Sequence, residues 1–146
     1  MKTVFSALFA LFASTACSAE VFGLDYLKTI KQIEVLLDDG ATGACWTNLK
    51  ESREYAEEKV RMAGGKLYDV GDKYYGQHYF FRIKVRSQRA ADGGCFGFYE
   101  IALLTATAVN GEEHNAYHRS LTNSFAYAAN ANTIVIEAIQ MFFSPD

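Results

Sequence analysis

Apolar residues Leu24, Leu27, Ile30, Ile33 and Leu37 recur at three- and four-residue steps, the period of one helical face, and Asp38-Asp39-Gly40 closes the run. The pattern predicts a first helix within Val21–Leu37. Beyond a loop at Gly40-Ala41-Thr42-Gly43, a second helix starts with Thr47 or Asn48 as N-cap, and Glu51 completes a capping box with Asn48. Leu49, Ala56, Val60 and Ala63 make its apolar side, the mixed charges between Glu51 and Arg61 its solvated side, and Gly64-Gly65 its stop.

The period then changes. Tyr79, Phe81, Ile83 and Val85 alternate with His78, Phe80, Arg82, Lys84 and Arg86, the signature of a half-buried strand. Ser87 to Gly94 has the length of a hairpin loop, and Cys95 to Val109 reads as a central strand apolar on both faces. Asn110-Gly111 is a two-residue turn signal, so a return strand belongs within Glu112–Tyr127, where alternation is poor. At the C-terminus, β-branched Thr133-Ile134-Val135-Ile136 favours a strand. The polar positions Thr133, Glu137, Gln140 and Ser144 instead mark one face of a helix, capped by Asn130 or Asn132, and the helix is the better fit. The expected fold class is α+β: two N-terminal helices, an antiparallel sheet of three or more strands, a C-terminal helix and one disulfide.

The amino terminus lies outside that pattern. Lys2 precedes an apolar stretch from Val4 to Ala13, and Ser14-Thr15-Ala16-Cys17-Ser18-Ala19 supplies small residues for cleavage after Ala19. Such a run is about half of what spans a bilayer, so residues 1–19 read as a cleaved export signal and 20–146 as a single domain. Acylation at Cys17 is the alternative, against which Ser14 stands where a lipobox has an aliphatic residue. Removing 19 of 146 residues leaves 127, and with Lys2 gone 13 basic against 17 acidic residues give a net charge of −4. That charge argues against nucleic acid as a partner, and 14% aromatic content against disorder. The expected location is periplasmic or extracellular, with no second stretch of membrane-spanning length.

Export changes the meaning of the cysteines. Cys45 and Cys95 are the pair left after cleavage, and an even count in an exported chain reads as a disulfide. Closing a fifty-residue loop stabilises by roughly 4 kcal/mol in the chain-entropy model. Glycines beside both cysteines let the backbones approach, so the Cα atoms should lie roughly 5–6 Å apart.

Candidate chemistry is sparse. His114 and His118, four residues apart with Glu112 and Glu113 beside them, would share one face of a helix and suit a zinc or manganese ion. In a strand the same two histidines lie about 13 Å apart, too far to share a metal. No HExxH, nucleophile elbow, phosphate loop or dinucleotide fingerprint occurs, and no cofactor is expected. The outward stripe His78, Phe80, Arg82, Lys84 and Arg86 is either a recognition surface for a protein or small acidic ligand, or the charged guard of an edge strand. Tyr74-Tyr75, in a loop between Lys73 and Gly76, adds a second candidate contact. The runs Ala44-Cys45-Trp46-Thr47-Asn48-Leu49 and Asn130-Ala131-Asn132 correspond to no motif of known chemistry.

Three functions fit. The first is a small exported, disulfide-bonded interaction module, an inhibitor or envelope accessory protein. The second is a secreted hydrolase using Glu112, Glu113, His114 or His118, with or without metal. The third is a structural subunit of an envelope assembly.

Overall fold

The computed structural model describes residues 24–69, 78–110 and 112–144. Residues 1–19, expected to be a cleaved export signal, and Tyr74-Tyr75 lie outside the described residues. The chain runs through a 3-10 turn at Leu24–Thr29, strand β1 (Ile33–Ala41), helix α1 (Leu49–Met62), strands β2 (Tyr79–Arg89), β3 (Cys95–Val109) and β4 (Glu112–Ala128), and helix α2 (Asn132–Phe143).

Among the described residues two helices, not three, pack on a mixed sheet of order β1-β2-β3-β4. This overturns the expected pair of N-terminal helices and the purely antiparallel sheet. The three-to-four-residue period arose from two adjoining elements. Leu24, Leu27 and Ile30 follow steps of three, the repeat of a 3-10 turn, whereas Ile33, Val35 and Leu37 follow steps of two, the repeat of a strand. β1 pairs parallel to β2 from Ile33↔Tyr79 to Ala41↔Ser87, with α1 as the crossover between them.

The remaining strands form an antiparallel meander. β2 pairs with β3 from Tyr79↔Thr105 to Arg89↔Cys95, so β2 is an interior strand and needs no charged guard against edge pairing. β3 pairs with β4 with register shifts at Cys95/Gly97 and Leu103/Leu104. Near the first shift Gly97 is required, because a Cβ there would come 2.1 Å from the Arg86 carbonyl oxygen across the pair.

Both helices cover one face of the sheet. Ala56 and Val60 of α1 and Val135, Ala138, Ile139 and Phe142 of α2 join Phe81, Ile83, Val85, Ile101 and Leu103 in one buried core. Phe81 meets Phe142 edge-to-face at 5.1 Å. The charged residues of α1 face solvent, as their mixed signs require. Asn48 makes no side-chain bond to the α1 backbone; its carboxamide instead meets Glu51 (3.1 Å) and Ser52 (3.3 Å). The C-terminal segment is helical, with Ala131 rather than Asn130 or Asn132 at its N-cap. Among the described residues no helix is long and apolar enough to cross a membrane.

Candidate binding surface

The sheet face away from the helices carries the basic stripe. Phe80, Arg82, Lys84 and Arg86 are half-buried and point together, since alternate residues of a strand share a face. Two of the cations are already engaged. Arg82 bonds Glu100 of β3 (2.5 Å) and the Tyr117 hydroxyl of β4, and its guanidinium lies over the Tyr117 ring at 5.5 Å. Burial, the largest single influence, acts to lower the Arg82 pKa, but its hydrogen bonds to Glu100 and Tyr117 and their charge attraction together outweigh it and the pKa is raised. Arg86 reaches across Gly40 to the Asp38 carboxylate (2.7 Å) and carbonyl (2.9 Å) of β1. A Cβ on Gly40 would lie 2.5 Å from the Arg86 side chain, so this glycine makes room for the arginine. His78 stacks on Phe80 at 4.1 Å and lies 3.2 Å from Glu34. Lys84 lies in register between Asp38 and Glu100, and among the described residues no ion pair holds it. The stripe is thus largely a cross-strand charge ladder.

The histidines of β4 do not converge. His114 is exposed, 3.9 Å from Glu112. His118, four residues along the same strand, packs its ring against Tyr26 (5.4 Å) and Tyr79 (5.3 Å) and shares a hydrogen bond with Thr105 (3.2 Å). Burial lowers its pKa, so the ring is held neutral. Burial first, and then the hydrogen bond shared with Tyr26, pushes the Tyr79 phenol up to about 12. The side chain of Glu113 lies outside the described residues. Among the described residues no three His, Cys, Asp or Glu side chains gather as a metal site.

The opposite end of the sheet is built differently. The buried Cys45–Cys95 disulfide, Cα–Cα 5.7 Å, ties the lead-in to α1 to the first residue of β3. Around it, Arg89 donates to four carbonyls: Gly43 (2.7 Å), Ala44 (3.2 Å), Gly93 (2.6 Å) and Ala129 (3.2 Å). Ala131 N donates to the Cys45 carbonyl (2.6 Å), and the Asn132 carboxamide bonds both the amide and hydroxyl of Thr47 (2.9 Å each). Trp46 is buried beside them, its indole donating to Ser52 (3.4 Å). The two runs without a chemical signature are therefore two halves of one brace.

That brace presents aromatic side chains to solvent. Phe96 and Phe98 are each 39% exposed and Tyr127 is 84% exposed. Phe96 walls two cavities of about 300 Å³ each. One lies beside Gly40, Thr42 and Arg86; the other is formed with Ala90, Asp92, Gly94, Ala126 and Tyr127. Sequence reading passed over Phe96 and Phe98 by treating β3 as covered on both faces. The signal was the Cys-Phe-Gly-Phe run, which places two large rings on one face beside an absent side chain.

No protein-family model and no curated protein matches this chain. Among solved structures the chain is similar to a minor lipoprotein from Acinetobacter baumannii. Identity is 17%, over 77% of this chain and 87% of that one, with a TM-score of 0.34. A likeness this loose assigns neither fold nor function.

Proposed function

We propose that this chain is an exported, disulfide-clamped binding module, an inhibitor or accessory protein of the envelope or extracellular space, whose partner is a protein. The observation that carries this reading is the pair of exposed rings, Phe96 and Tyr127, around a cavity held open by the braced end of the sheet. Exposed aromatics at a rigid concavity are the usual anchors of protein recognition. The disulfide and the export-type amino terminus support an oxidising compartment outside the cytoplasm. A protein partner is favoured over a small acidic ligand because Arg82 and Arg86 already hold carboxylates. The hydrolase alternative needs His114 and His118 in one cleft, and they face different surroundings.

The test is paired capture from the native compartment with the exported chain and its Phe96→Ser/Tyr127→Ser variant. Proteins retained by the parent and lost by the variant support the reading; identical retention contradicts it. Export is checked by N-terminal sequencing. Glu20 is the expected first residue, a lipid on Cys17 selects the anchored form, and Met1 on the functional protein removes the compartment argument.

A further inference from the structure

We infer that β4 accepts an extended peptide as a fifth strand, with one large apolar side chain of that peptide entering the Phe96–Tyr127 cavity and a basic residue beside it meeting Asp92. This rests on the binding-module reading and names its partner class. The basis is the difference between the sheet's two edges. The outer row of β1 is engaged near both its ends: Ile33 exchanges backbone hydrogen bonds with Lys66 (2.8 Å) and Tyr68 (2.9 Å), Arg53 donates to the Val35 carbonyl (2.6 Å), and Asp39 takes the Ala41 amide (2.9 Å).

β4 is longer, seventeen residues, and lies at the other edge. From Ser120 to Ala128 it has no charge, proline or glycine, and most of its side chains are exposed. Edge strands of natural sheets usually carry such guards. The Ser124 amide is taken by the neighbouring Asn123 carboxamide (2.8 Å), which places that amide outside the β3 ladder. By alternation the amides of Thr122 and Ser120 also point outward. Among the described residues no other group bonds this outer row. An outward backbone row next to a side-chain pocket is the geometry of strand addition, in which the main chain gives affinity and the pocket gives selectivity.

Charge selects the occupant. Full-length antiparallel pairing of β4 with a second copy would oppose Glu112 to Ala128 and Glu113 to Tyr127. The acidic turn of each copy would then meet Asp92 of the other, twice by symmetry. A shorter self-pairing about Ser124 avoids this, but sets Thr122 opposite Ala126, too small to fill the cavity. A peptide with a large apolar residue for the cavity and a Lys or Arg at the end beside it meets Asp92 favourably, where a second copy would bring carboxylates.

The probe is a displayed library of nine-residue peptides selected on the full exported chain. The expected winners alternate polar and apolar residues, carry one large apolar position with a basic residue on its Asp92 side, and slow amide exchange across 120–128. Thr122→Pro, which removes an outward amide that an edge strand can lose, is expected to weaken binding about tenfold or more. N-methylation of alternate peptide amides gives a control that leaves the protein unaltered, with one phase abolishing binding and the other tolerated. Binding that is lost in Phe96→Ser but indifferent to Thr122→Pro and to N-methylation overturns strand addition and leaves the module reading standing. Binding indifferent to all three overturns both. Selection of no peptide, or slowed exchange of 120–128 in the chain alone at rising concentration, overturns the peptide as occupant.

Discussion

The two ends of the sheet solve the same problem, holding the helical layer to the strands, with opposite chemistry. At one end Tyr26, Tyr79, His118 and Thr105 turn their rings and hydroxyls inward and pack on each other. At the other, a disulfide, one arginine and the Thr47–Asn132 pair tie backbone to backbone, leaving Phe96, Phe98 and Tyr127 facing out. An end closed by its own aromatics spends them on packing; the exposed Tyr117 nearby is itself held by Arg82. An end closed covalently can display them, because its shape no longer depends on burying them. The difference therefore separates an end closed by packing from the end proposed to bind.

Breaking the covalent tie should have the largest effect. Replacing Cys45 and Cys95 by Ser is expected to cost about 2–5 kcal/mol, read as a lower melting temperature and faster proteolysis near Ala44 and Gly94. If the melting temperature is unchanged, the brace does not depend on the bridge.

Arg89→Ala removes four charge-assisted bonds to carbonyls from an exposed side chain, and an effect of about 1–2 kcal/mol is expected. Arg89→Lys should recover only part, since an ammonium cannot span the same carbonyl set. Full recovery by lysine would reduce the brace to a simple charge effect.

The smallest effect is at the other end and depends on pH. His118 has a pKa lowered by burial, so its neutral form belongs to the fold and the unfolded chain binds more protons. Its contribution is complete above the ordinary value of 6.5 and declines as pH falls below it. Melting temperature should therefore drop between about pH 7 and pH 5, and His118→Phe should flatten that drop. An unchanged slope in the variant would remove His118 from the closure of this end.

Much of this was legible in the sequence where one local pattern maps onto one element. The strict alternation of Tyr79 to Val85 defined β2, the charge distribution from Glu51 to Arg61 defined α1, and cysteine parity gave the bridge. β1 was misassigned because a 3-10 turn and a strand, placed end to end, imitate a helical period. The lateral position of β2 could not be read, because pairing order is decided by which segments meet and not by alternation. β4 alternated poorly for a physical reason: the register shift between Leu103 and Leu104 lies opposite His118 and exchanges the faces on either side of it. The role of Arg89 was hidden because its partners are backbone carbonyls, which every residue has.

The central claim is that the braced end is the one that binds. It is tested most directly by amide hydrogen exchange on the exported chain in complex with a captured partner, compared with the chain alone. The account predicts added protection over residues 90–96 and 120–128, with little change over 24–30 and 105–118. Protection confined to the Tyr26–His118 end, with Phe96 and Tyr127 exchanging as in the free chain, would contradict it.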